Sequence, residues 1–373
     1  MQCIRASPLL PSWRHPRHPK NKTTRRCERQ AVFDVPRSFA LTHEVLRRII
    51  RDRSPEHNAP SLFGELYPGL PCRRSSLLCT HERRISSMNI TLPSLTLALP
   101  RQFAGSISAL AWSSDSTRIA AASTGGSVAV WETRTGACVF EKQVAREHLT
   151  ALAWTDQGRC LLLGSKRGAL TFLHLASGKT VTSSCFSHPI TRIAYAPNEQ
   201  VERFFVVAGP MLQMFTAGQA HPTTRRYATP LIDAAWCPAG RAIAVLTQHG
   251  LLDVWGVTER SSRLHTVLHN APRCLTWGIT DQSLTIGTEQ GQIQDYSLKG
   301  ERWEQVYSVS RFPLAALFRG ELGVIAQSAC ETVLWTTHAL HELAHRVHPI
   351  ALDPCGATLA TAHTRAIHLA ALS

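Results

Sequence analysis

The chain has 373 residues, with 40 Lys and Arg against 26 Asp and Glu for a net charge of +14, and 44% hydrophobic against 18% charged residues. That balance excludes a wholly disordered polymer, and no run of about 18 apolar residues marks a membrane span. Eleven cysteines stand singly with no Cys-x-x-Cys pair, which points away from zinc knuckles and disulfides and toward thiols in a reducing compartment, cytoplasmic or nuclear.

Residues 1–87 come first and differ from the rest. They hold 17 Lys and Arg against 7 Asp and Glu, a net of +10 that leaves only +4 of the total for the remainder. Pro8, Pro11, Pro16 and Pro19 interrupt any amphipathic helix, and the apolar stretch of a secretory signal is missing. We expect a basic, disordered extension, with any nucleic-acid contact confined to it. Met88 follows directly and offers an alternative start. The folded domain is expected over 88–373.

An alternating run at 90–99, Ile-Thr-Leu-Pro-Ser-Leu-Thr-Leu-Ala-Leu, reads as a strand with no local partner. Next comes a unit of short apolar runs separated by Gly, Asp and Ser turns: Ser108 to Trp112, Arg118 to Ala122, Val128 to Glu132 and Ala137 to Phe140. The order returns at Ala151 to Thr155, Cys160 to Leu163 and Gly168 to Leu173, and again at Ile232 to Trp236, Ala242 to Leu246, Leu251 to Trp255 and Leu264 to Val267. Trp112, Trp154, Tyr195, Trp236, Trp277, Phe318 and Leu352 mark successive units at intervals of 42, 41, 41, 41, 41 and 34 residues. A near-constant period of about 40 belongs to a repeat architecture, in which each unit buries its apolar face only by stacking on its neighbours.

In the sixth unit His341-Glu342-Leu343-Ala344-His345 matches the zinc-protease pattern H-E-x-x-H, which requires a helix to bring both His to one metal. Its position six residues after Trp335 predicts an outer strand instead. On a strand the two His share a face about 13 Å apart, at roughly 3.3 Å per residue, too far to share one zinc at about 2 Å per bond. A zinc metalloprotease is therefore an alternative that the expected strand opposes. No phosphate-binding glycine loop or nucleophile elbow is present, so the chain reads as non-enzymatic, with no cofactor and no metal. The seventh unit has three strands, Pro349 to Leu352, Ala357 to Ala360 and Ala366 to Ala370, and lacks a fourth.

Val128-Ala-Val-Trp131-Glu132, Leu252-Asp-Val-Trp255 and Val333-Leu-Trp335, with His148-Leu149, His188-Pro189 and His348-Pro349 leading into units, resemble the WD-repeat family, over roughly residues 90 to 373. The Trp-Asp dipeptide itself is absent, since Glu132, Gly256 and Thr336 follow the three Trp. The resemblance implies an all-β, seven-bladed WD-repeat β-propeller, in which the strand at 90–99 completes the last blade and so removes two exposed edges. It also implies an interaction scaffold that joins a multiprotein complex. Partners of such rings dock on the face made by the loops leading into each first strand and those joining second to third strands. Mapped here, that rim receives Arg146, His148, Lys166 and Arg167, then His188 and His249, then Arg273, Arg311 and His348, suited to an acidic peptide of another protein. A narrower alternative rests on Trp131-Glu132-Thr133-Arg134, which resembles the W-D-x-R box of substrate receptors for cullin-based ubiquitin ligases, with Trp131, Glu132 and Arg134 as adaptor contacts on the other face.

Overall fold

The computed structural model describes residues 94–155, 158–197, 202–258, 261–300, 302–320, 322–336, 340–345, 348–362 and 366–372. The extension 1–87 and the first residues of the expected closing strand, 90–93, lie outside them. The described residues form seven antiparallel sheets of four strands each. Blade 1 comprises Ile107–Trp112, Arg118–Ser123, Ser127–Glu132 and Cys138–Gln143, paired in chain order. Its first three strands are almost entirely buried and its fourth is exposed. First strands lie against one another from blade 7 through blade 1 to blade 6, and an apolar cluster with Phe318 and Ile350 joins blade 6 to blade 7. The first strands are the innermost strands of a closed ring.

Blade 7 shows how the ring closes. His348–Leu352, Thr358–Ala362 and Ala366–Ala371 supply three strands, and the fourth is Ser94–Ala98 from the start of the domain. Leu95 pairs with Leu369 and Leu97 with Ile367 in antiparallel register. Leu97 is fully buried among Trp112, Trp131 and Ile367, and the Trp131 indole donates to the Ala98 carbonyl at 3.1 Å. The closing strand therefore fills apolar volume between blades 7 and 1 besides pairing an edge.

Second strands such as Cys160–Ser165 and Ala242–Thr247 are continuous apolar runs because each has a neighbouring blade on both faces. The apolar interior is divided into seven clusters, and each straddles two adjacent blades. One hydrogen bond recurs across these seams. At the end of the innermost strand a Trp indole donates back to the preceding blade: Trp112 to Ala351 O at 3.1 Å, Trp154 to Ala111 O at 2.8 Å, Trp236 to Ala194 O and Trp277 to Ala235 O at 3.0 Å each. A buried indole N–H needs such an acceptor.

The structure corrects one marker of the repeat. In blade 6 the register pairs Arg319 with Val324 as blade 1 pairs Trp112 with Ile119, so Arg319 holds the Trp place and Phe318 precedes it. Arg319 does the seam's work with a different group, its guanidinium donating to Thr285 Oγ1 of blade 5 at 2.8 Å. Burial lowers its pKa, and Asp295 opposes that shift.

Candidate interaction face

In an antiparallel blade of four strands, the loop leading into the first strand and the turn joining the second to the third emerge on the same face. Here each such turn is strapped by a glycine to the loop leading into the next blade. Gly126, Gly168, Gly250 and Gly291 have φ of +84°, +83°, +80° and +76°, and a Cβ on them would lie 2.1 to 2.4 Å from Ala145 O, Phe186 O, Leu268 O and Ser310 O. Only glycine permits both the left-handed backbone and the close approach. The same loops then donate to the glycine carbonyls, Phe186 N to Gly168 O at 2.7 Å and Leu268 N to Gly250 O at 2.8 Å. Rigid loops of this kind hold surface side chains in fixed positions.

One sector of this face gathers several of the expected rim residues. Lys166 N donates to His148 O at 2.8 Å, which sets the Lys166-Arg167 turn against the loop carrying Arg146, Glu147 and His148. Arg167 Nε lies 3.7 Å from Glu147 Oε2, with the Arg side chain 84% exposed and the Glu 20%. His188, leading into blade 3, packs its ring where a Cβ on Gly209 would come within 2.6 Å. Arg146, Lys166 and His188 are exposed and His148 is half-buried. The remaining rim residues sit elsewhere on the ring: His249 on blade 4, half-buried Arg273 on blade 5 and exposed Arg311 on the loop into blade 6. The backbone of His348 opens blade 7, and its side chain lies outside the described residues.

The opposite face carries the adaptor-like box. Trp131 is fully buried. Glu132 accepts the Thr135 hydroxyl at 2.6 Å, and Arg134 is exposed in the turn that follows. In blade 6, Leu340–His345 is the outermost strand, as expected, paired with Glu331–Trp335. A β-bulge shifts the backbone register there, so that His341 pairs with Leu334 and His345 with Glu331. Among the described residues no cluster of three His, Cys, Asp or Glu could hold a metal ion.

Sequence reasoning does not find two buried polar networks. Asp233 of blade 4, 5% exposed, accepts from the Arg192 guanidinium of blade 3, from its neighbour Ala234 N at 2.8 Å and from Leu275 N of blade 5 at 2.9 Å. Burial raises its pKa against the pull of Arg192 and the two amides. Burial, with Asp233 beside it, also raises the thiol of Cys274. Asp253, 1% exposed, gathers Tyr227 Oη at 2.7 Å, Ser262 Oγ at 2.8 Å and Arg225 Nη1 at 3.0 Å, with Arg225 5.1 Å from the centre of the Trp255 ring. Burial and then Asp253 push the Tyr227 hydroxyl pKa up. A signal for the first network was present. Arg192, Asp233 and Cys274 recur at one repeat period where blades 1 and 2 have Ala109 and Ala151.

A family model described as WD domain, G-beta repeat matches residues 98–132, the end of the closing strand and the first three strands of blade 1. No curated protein matches the sequence. Among solved structures, "Structure of U3-55K" superposes with a TM-score of 0.62 at 13% identity, covering 75% of this chain and 98% of that one. "Crystal Structure of Mitotic Checkpoint Complex" gives 0.61 at 15% identity, covering 83% and 99%. At those identities the likeness is one of fold alone. With the seven four-stranded blades, it gives the chain the fold of a seven-bladed β-propeller, whose residues 98–132 match a WD repeat. Among the described residues no helix is long and apolar enough to cross a membrane.

Proposed function

We propose that this chain is a non-enzymatic interaction scaffold, and that its face of strapped loops takes an acidic segment of a partner protein in the sector of blades 2 and 3. The observation that carries the reading is Arg167, 84% exposed on a turn fixed by backbone bonds and beside Lys166 and Arg146. An exposed pair such as Arg167–Glu147 contributes only about 0–1 kcal/mol, so exchanging Glu147 for a partner carboxylate costs little. The fold supports scaffolding, and one of the structures it resembles is that of an assembly, the mitotic checkpoint complex. Work inside a multiprotein complex of the cytoplasm or nucleus fits the free buried thiols of Cys237 and Cys274.

The test is affinity capture with identification of partners by mass spectrometry, using the full chain and the variant Lys166→Glu, Arg167→Glu, Arg311→Glu. Partners should depend on these charges and should survive removal of residues 1–87. Loss of the tail abolishing capture, with affinity falling steeply as salt rises, would instead mark nucleic-acid binding through counterion release. Partners that ignore the triple change and vanish on Arg134→Ala would favour the ligase-receptor reading.

A further inference from the structure

The seams between blades are not equally filled on the face opposite the rim. Between blades 1 and 2, Arg118 opens the second strand of blade 1 and its guanidinium lies 5.1 Å from the centre of the Trp154 ring. In blade 4 the equivalent residue is Ala242, since Ala242 pairs with Gly256 as Arg118 pairs with Glu132. Trp277 takes the place of Trp154 on the next blade, pairing with Leu284 as Trp154 pairs with Leu161. Alanine cannot reach across as Arg118 does, and beside Ala242 the seam between blades 4 and 5 opens into a cleft of about 300 Å³.

Val254, Leu264, Trp277 and Leu298 line its apolar floor, and Arg263 and Lys299 stand at its mouth. Both cations are exposed. The acid at the mouth, Asp281, already accepts the Ala239 N–H at 3.2 Å and so holds a turn of blade 4. Arg241 and Arg302, both exposed, adjoin the site in sequence, and Arg302 folds over Gly300, beside Lys299. Ile279, on the loop that carries Asp281, is 79% exposed. The cleft thus offers an apolar floor of side-chain size, an exposed apolar residue beside it and a surplus of positive charge. A volume at the small end of ligand pockets fits one large side chain.

We infer that this cleft binds a short extended segment of another protein, with one large apolar side chain seated against Trp277, Leu264 and Leu298 and an adjacent Asp or Glu held by Arg263 and Lys299. The site lies on the other face from the rim around Lys166 and is independent of it.

The probe is a library of random heptapeptides displayed on phage and selected on the full chain. Enriched peptides are synthesised and titrated by fluorescence anisotropy into the unaltered protein, Ala242→Arg, the pair Arg263→Glu with Lys299→Glu, and the pair Lys166→Glu with Arg167→Glu. The expected result is a family of peptides that joins a large apolar residue to an acidic one. Its affinity should fall roughly tenfold or more, about 1.4 kcal/mol, in Ala242→Arg, which places a guanidinium over Trp277, and in the Arg263/Lys299 variant. It should not change in the Lys166/Arg167 variant. Thermal melts confirm folding, and if Ala242→Arg does not fold, the exposed Arg263/Lys299 pair decides. Failure to enrich any peptide, enrichment without acidic residues, or binding indifferent to Arg263 and Lys299 overturns the inference. Peptides lost only in the Lys166/Arg167 variant overturn it while supporting the rim.

Discussion

At the scale of residues, polar side chains are concentrated where blades meet. The Trp154 indole reaches Ala111 O across one seam, Arg319 reaches Thr285 across another, and Asp233 holds Arg192 on one side and Leu275 N on the other. Removing one member of a buried ion pair leaves the other uncompensated, so Arg192→Ala should destabilise the protein by about 3–5 kcal/mol in urea unfolding. Trp154→Phe loses the indole hydrogen bond and leaves part of the buried ring's volume empty, which should cost more than the about 1 kcal/mol of the hydrogen bond alone. A pH dependence follows from Asp233. Its carboxyl is raised by burial, so its contribution to stability is complete below the unfolded pKa of about 3.9 and is lost as pH rises through the raised folded value. Asp233→Asn should remove the decline that sets in as pH rises above the unfolded value, and an unchanged profile of urea midpoints would refute the assignment. Of these residues the tryptophans were legible from spacing, and Arg192 and Asp233 share the repeat period without revealing that they touch. Polar partners on different blades share no local pattern, because the contact exists only once the ring has closed.

At the scale of elements, the strand Ser94–Ala98 and the outermost strand Leu340–His345 carry the sharpest tests. A chain beginning at Met88 should melt near the full chain, whereas one beginning at Ala104 leaves the outer edge of Ala366–Ala371 unpaired and empties the site of fully buried Leu97. The second loss should exceed the about 2–5 kcal/mol of a single buried Leu truncated to Ala. Equal melting of all three chains would refute closure by this strand. For Leu340–His345, Glu342→Gln should change stability by no more than about 0.5 kcal/mol, and elemental analysis should find far less than one zinc per chain. Stoichiometric zinc lost on His345→Ala would overturn the strand. The outer-strand setting of the H-E-x-x-H pattern was legible from its distance from Trp335. The bulge within that strand was not legible, since bulges answer to the pairing partner.

At the scale of the whole molecule, no blade has a core of its own. Each apolar cluster belongs to two neighbours, so a blade cannot unfold without exposing the faces of both. The ring should therefore unfold in one transition, with tryptophan fluorescence and far-ultraviolet circular dichroism coinciding during urea titration. Two separated transitions would show that some blades stand alone. The amino-acid sequence by itself determined the number of blades, the order of strands within them and the origin of the closing strand, because a repeated pattern of apolar runs and glycine turns is local chemistry copied along the chain. Tertiary structure alone decided the rest: that Arg319 stands where other blades have Trp, that Arg146, Lys166, Arg167 and His188 share a sector while Arg273 and Arg311 do not, and that one seam opens beside Ala242. These depend on distances between residues about 20 to 40 positions apart, and such distances are set by how strands and blades pack around the ring.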